Sequence, residues 1–365
     1  MTNPVSQVSR LDLSSDVVSL TRALCDIPSE SGDERVIADA VEAALRDCAH
    51  LEVLRDGDAV VARTRLGHSE RVVIAGHLDT VPIAANLPTW VEGEGDDELL
   101  FGRGTADMKG GVAVQLRLAA TVPAPVRDVT YVFYDAEEVE AVRNGLGRLA
   151  RTHPDWLAGD FAVLMEPSSA RVEGGCQGTI RVEVETTGIA AHSARSWTGS
   201  NAIHAIQPVL ALLTEYTARE VDVEGLVYRE GLNAVGIRGG IAGNVIPDRC
   251  VVTVNYRFAP DRSLAEAEAH LRELFAGYQV TVTDGSPAAR PGLDRPAAAV
   301  FIAAVGGTPG PKYGWTDVAR FSEIGVPAVN YGPGDPSFAH KDDEHCRTSE
   351  IIACEQALHR WLTTP

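Results

Sequence analysis

The stretch DVTYVFYDAEEVE, residues 128–140, opens as a strand and closes in acid. After Asp128, its next six residues are β-branched and aromatic, the composition of a buried strand. Asp135, Glu137 and Glu138 then arrive within four residues. Neighbouring carboxylates repel, and burying either one without a partner is costly. Two readings follow. The acids are solvated in a loop, or a cation removes the repulsion. Adjacent side chains diverge, so one glutamate could ligate a metal while the other faces water as a general base.

Around this stretch, strands and helices alternate. RVVIAG (71–76) and FAVLME (161–166) read as further buried strands, and GGVAVQLRLAA (110–120) as a helix. Ser31 and Glu34 have capping-box spacing ahead of a helical apolar period at Val36, Ile37, Ala40, Val41, Ala44 and Leu45. The alternation predicts an α/β domain, a mainly parallel sheet flanked by helices. Near residue 177 the pattern changes. TIRVEVETTG (179–188) alternates apolar and polar, as a half-exposed strand does. A helix over 201–217, strands at 232–241 and 250–258, and a second capping box at Ser263 and Glu266 complete an α+β unit. DGSPAARPGLDRP (284–296) reads as the return crossing, and a helix near 348–363 closes the chain. The expected organisation is one domain over 1–176 and 291–365, with 177–290 inserted as a lid.

Composition narrows the function. The chain has 365 residues, 45% hydrophobic and 23% charged, with a formal net charge of −19. That charge argues against nucleic acid and anionic membranes as partners. The six cysteines are scattered, with no C-x-x-C pair, which argues against a disulfide framework and a thiolate zinc site. No G-K-[ST] occurs, so a Walker-type phosphate loop is absent. Residues 1–16 hold no apolar leader core, and no run approaches membrane-spanning length, so a cytoplasmic location is expected.

Other acids and histidines also fall at strand ends, where open α/β sheets bind ligands. In AGHLDTVP (75–82), His77 and Asp79 share one side of an extended chain. A carboxylate there can orient the imidazole towards a metal. Asp107 stands among glycines in FGRGTADMKGG (101–111), and could be only a helix cap. Glu166 ends an apolar strand, and His340 sits in the acidic run SFAHKDDEH. Singly, each has an ordinary structural reading. Together, these nitrogen and oxygen ligands suit zinc, and paired carboxylates suit two zincs.

In the order and context of these motifs the chain resembles the M20 metallopeptidase and deacylase family, over almost its whole length. The resemblance implies that His77 and Glu166 hold one zinc, Glu138 and His340 the other, and that Asp107 bridges them through a cis peptide to Met108. It implies Glu137 as general base, Asp79 as the residue steering His77, and His192 in GIAAHSA as an oxyanion donor reaching the opposite subunit of a homodimer. Asn244 and Arg257 would grip a substrate carboxylate, and Thr316 would line the acyl pocket. Cobalt could replace zinc. GWTDVARF (314–321) and YGPGDPSFAHKDDEHC (331–346) carry a narrower match. It implies hydrolysis of a small N-acyl amino acid, N-succinyl-LL-2,6-diaminopimelate. The alternative is a deacetylase, aminoacylase or di- or carboxypeptidase of the same family. CQGT (176–179) and Trp315 depart from the pattern of the better-known desuccinylating members, which carry arginines before a Gly-Ser at the first place and Gly-Thr-Ser-Asp at the second.

Overall fold

The computed structural model describes residues 10–364. The first nine residues, on which the leader reading and the start of the first domain partly rest, lie outside the described residues. Among the described residues, no helix is long and apolar enough to cross a membrane. The chain divides into two compact units. One runs to Gly174 and adds Pro291–Gly310 and Thr316 onward; the other is Gly175–Arg290 with Pro311–Trp315.

The first unit is built on a mixed sheet whose central strands are parallel. They run in the order Asp128–Tyr134, Arg71–His77, Phe161–Leu164 and Ala328–Asn330. An antiparallel hairpin, Glu52–Asp56 and Ala59–Arg63, extends the sheet beside Asp128–Tyr134. All seven residues of Asp128–Tyr134 are buried, as a strand covered on both faces requires. The register sets His77 beside Tyr134, and Leu164 beside both Ala75 and Asn330. The carboxyl ends of these strands therefore align along one edge. The helix Lys109–Thr121 packs on the strand Arg71–His77 and against the helices Val17–Cys25 and Thr348–Thr363. It approaches the strand end closely because Gly111 has no side chain: a Cβ there would lie 2.4 Å from the Met165 carbonyl oxygen.

The second unit carries a four-stranded antiparallel sheet in the order Gly231–Gly239, Arg249–Phe258, Gly178–Thr187, Gln279–Ser286. Ile180, Val182 and Val184 alternate into a core with Val252, Val254, Tyr256 and Phe258. Helical residues Ala202, Val209, Ala267 and Leu271 cover that face. Truncating a fully buried leucine such as Leu271 to alanine costs about 2–5 kcal/mol. The capping box at Ser263 and Glu266 is formed.

Two expectations need correcting. The helix over 201–217 is broken into Ala202–Ala205 and Gln207–Glu215, with Ile206 capping both. Pro208 lacks the amide that a continuous helix would need. Ser31 and Glu34 form no capping box: Glu34 caps the helix Arg35–Arg46 without a side-chain bond. Both side chains are drawn instead to the strand edge described next.

Candidate metal centre

Strand ends deliver most of the site. His77 closes one parallel strand, and Asp79 follows two residues later. Glu137 and Glu138 follow the strand ending at Tyr134, and Glu166 follows the one ending at Leu164. Asp107 precedes the helix Lys109–Thr121, whose N-cap is Met108, so Asp107 is not the cap residue. The Asp107–Met108 peptide is cis.

The two oxygens of Asp107 face different histidines. Oδ1 lies 3.1 Å from His77 Nε2, and Oδ2 lies 3.4 Å from His340 Nε2. His340 Nε2 is also 2.9 Å from Glu138 Oε1. Three overlapping groups result: His77 with Asp107 and Glu166, His340 with Asp107 and Glu138, and His77 with Glu137 and Glu138. In each group the ligand atoms lie within 4.8 Å of one another. Asp107 is common to the first two, and Glu137 belongs to neither.

Backbone contacts hold the acidic loop in place. Asp79 is fully buried, and its carboxylate accepts the amides of Glu137 and Glu138, each at 3.0 Å. Ser31 Oγ donates to the same carboxylate at 2.7 Å. Glu34 Oε1 accepts the amides of Gly32 and Ala136. Asp135, the third acid of the stretch, turns away to a two-pronged pair with Arg148. Ala136 and His340 both hold left-handed backbone, at φ 56° and 66°, which non-glycine residues rarely adopt. His77 Nδ1 is 3.0 Å from the backbone carbonyl of Asp79 and 3.5 Å from its carboxylate. The carbonyl thus accepts the closer contact, and the steering expected of Asp79 comes mainly from its backbone.

Electrostatics follow from this crowding. Burial alone would depress His77, but the carboxylates of Asp107 and Asp79 hold its imidazole well above its usual range. Hydrogen bonds to Asp107 and Glu138 raise His340 to about 10. Burial would raise Asp107, but His340 and His77 pull it below the usual carboxylate range. Burial, then the charge of Glu138, pushes Glu137 well up. Burial and the charge of Asp107 raise Glu138. Four carboxylates at Asp107, Glu137, Glu138 and Glu166 would balance two divalent charges, and the nitrogen and oxygen donor set suits zinc.

The remaining candidates belong to none of these three groups. In the second unit, His192 and Asn244 are neighbours: residues 191–192 pair with 245–246, and Ser193 donates its amide to the Asn244 carbonyl. His192 is exposed, and its Nδ1 accepts the Ala194 amide at 3.0 Å. In the neutral ring that contact places the proton on Nε2. Arg257 is on the central strand Arg249–Phe258 of that unit. Thr316 is in the first unit, 2% exposed, and donates to Asn330 Oδ1 at 2.8 Å.

Glu344 was missed by sequence reading. It is 1% exposed, pairs with Arg103 at 2.7 Å, and accepts the amides of Gly104, Ala106 and Asp107. It is the clamp on the loop that presents Asp107. Its acidic run, KDDEH, gave only the signal of a solvated surface. Ser31 and Glu34 were noticed for the wrong reason, because capping-box spacing is a local pattern and their partners are tertiary.

Comparison with known proteins adds the context. The model of Peptidase family M20/M25/M40 matches residues 73–364. The chain is 54% identical over 355 residues to a Mycobacterium tuberculosis (strain ATCC 25618 / H37Rv) protein provisionally named succinyl-diaminopimelate desuccinylase DapE, covering 96% of this chain and 99% of that one. It is 46% identical over 364 residues to the succinyl-diaminopimelate desuccinylase of Corynebacterium glutamicum, covering 97% and 98%. A tripeptidase structure from Staphylococcus aureus subsp. aureus Mu50 superposes with a TM-score of 0.77 at 18% identity, covering 95% and 96%, a likeness of fold alone.

Proposed function

Since the chain belongs to peptidase family M20/M25/M40 and is a hydrolase of amide bonds, we propose that it releases succinate from N-succinyl-LL-2,6-diaminopimelate. The product would be LL-2,6-diaminopimelate, a lysine and peptidoglycan precursor. The observation that carries this reading is the near full-length likeness to two desuccinylases. The strand-edge site supplies chemistry to match.

His77 and Glu166 would hold one zinc, Glu138 and His340 the second, and Asp107 would join them; cobalt would serve in place of zinc. When bound, the pair would supply Lewis acidity and lower the pKa of water. Glu137 is the group that moves the proton. Its carboxylate takes a proton from the attacking water. It then passes that proton to the leaving amine nitrogen. Asp79 keeps the Glu137 loop and the His77 ring in place. His192, with its proton on Nε2, donates to the developing oxyanion. Asn244 and Arg257 are assigned to a substrate carboxylate.

A homodimer is part of the proposal. Strand Gly231–Gly239 lies at the edge of its sheet, with Val235 59% and Ile237 57% exposed. An apolar open edge of that kind calls for a partner. Among the described residues no two cysteines are joined in a disulfide, which suits the reducing cytoplasm. The decisive experiment is a panel of N-acyl substrates on the zinc-loaded enzyme. N-succinyl-diaminopimelate should be cleaved with much higher kcat/KM than N-acetylornithine. Equal or reversed values would move the protein to a deacetylase.

A further inference from the structure

His77 and His340 reach the strand edge on different carriers. His77 ends a buried strand and is itself 1% exposed. His340 opens an exposed run, residues 340–343. A ligand on such a loop keeps its geometry only if its carrier is held from outside. After His340 the backbone is tied to other segments. Arg103 donates to the Lys341 carbonyl at 3.0 Å, and Asn86 Nδ2 to the Asp342 carbonyl at 3.2 Å. Glu344 then anchors the end of the run. Before His340 the hydrogen bonds are local. Among the described residues, those of residues 335–339 stay within 335–341: Ser337 and Phe338 donate to Asp335, and Lys341 to Phe338.

Rings supply the tie on that side. In the small sheet of Trp90–Glu92, Leu99–Phe101 and His345–Arg347, Trp90 is paired with Phe101 and Phe101 with His345. Residues directly opposite share a face, so the three rings line up. Trp90 stacks on Phe101 with centroids 5.1 Å apart and planes within 9°, and His345 lies 4.7 Å from Phe101. Phe338 adds a fourth ring, 3.9 Å from that of His345. Lys341 Nζ sits over the Phe338 ring, 5.0 Å from its centre, a cation–π contact. His345 Nδ1 lies 2.8 Å from the Asp343 carbonyl, which fixes the plane of the imidazole. Phe338 and His345 thus close the loop around His340 at its base, and the ladder behind them roots it in the sheet.

We propose that Phe338 and His345 are positioning residues for the metal position assigned to Glu138 and His340. Their stacked rings hold the loop that presents His340, so they set the affinity of that position and leave the one assigned to His77 and Glu166 alone. His345 belongs to none of the three ligand groups, so its effect passes through His340. The inference rests on the two-zinc reading.

The test titrates metal-free protein with zinc against a chromophoric chelator. Wild type should bind two equivalents, and His340→Ala should lose the one that marks its position. His345→Ala should weaken that same equivalent about 10- to 100-fold, the usual loss when the support of a ligand is removed. Phe338→Leu keeps apolar bulk without a ring and should weaken it about 3- to 10-fold. His345→Phe keeps a ring and should recover most of the affinity. In all three the other equivalent should bind as in wild type, a split that general destabilisation would not produce. Phe338→Leu carries the test should His345→Ala fail to fold. Both equivalents unchanged in these variants, or both weakened together, overturns the inference and spares the two-zinc reading. A wild type that binds fewer than two zincs overturns both, before any variant is compared.

Discussion

The Asp79 carboxylate lies 3.0 Å from the backbone nitrogen of Glu137 and accepts its amide, with the Glu138 amide on its other oxygen. One buried acid thus fixes the loop that carries two more. Asp79→Ala should orphan both amides and the Ser31 hydroxyl, at about 1–3 kcal/mol for each donor left buried and unmet. Asp79→Asn keeps one acceptor oxygen and should lose less. Chemical denaturation with metal analysis reads both effects; equal stability of Asp79→Ala and wild type would refute the anchoring role.

Glu137 should separate from the metal ligands. Glu137→Ala should keep two zincs while kcat falls by a factor of ~10²–10⁴, the usual worth of a general base. His77→Ala should lose metal outright. Chelation should abolish turnover, and zinc or cobalt should restore it. Near wild-type kcat in Glu137→Ala would show that the base is misassigned.

The metal-free protein should lose stability as pH rises. His340 has a folded pKa of about 10 against an ordinary value of 6.5. A raised pKa contributes stability that is complete below the unfolded value and disappears as pH climbs through the folded one. His77, shifted the same way, adds to the trend. Metal binding must displace these protons, so affinity should grow over the same range. Calorimetry should show the melting gap between loaded and metal-free forms widening from about pH 6.5 to about 10. A constant gap would contradict the shift.

Glu344 should matter for the site without touching substrate. Glu344→Ala leaves Arg103 buried without its partner, a change that costs about 3–5 kcal/mol. It also frees the amides of Gly104, Ala106 and Asp107. Metal affinity should drop along with stability. Glu344→Gln should be milder. Full metal retention in a folded Glu344→Ala would disprove the link to Asp107.

His192 should act across a dimer. Mixing inactive His192→Ala and Glu137→Ala subunits should restore activity, up to about half a wild-type dimer per heterodimer, because one site then keeps both groups. No recovery, with exchange shown by native mass spectrometry, would place His192 in its own chain's site or outside catalysis.

Local chemistry made much of this protein legible before any coordinates. Periodicity alone set out the parallel strands, because a strand buried on both faces must be continuously apolar, and it marked the second unit, because a one-sided sheet must alternate. Strand ends then pointed to His77, Glu137, Glu138 and Glu166. Other features depended on contacts between residues far apart in the chain. Ser31 and Glu34 look like a cap in sequence and bind Asp79 and Ala136 in space. Glu344 looks solvated among acids and is buried under the Asp107 loop. The Thr316 hydroxyl meets Asn330, fourteen residues on. Spacing along a chain determines which side chains share a strand face or helix stripe. Which buried carboxylate meets which amide is decided when distant segments close on one another, since only then is water removed and each polar group forced to find its partner.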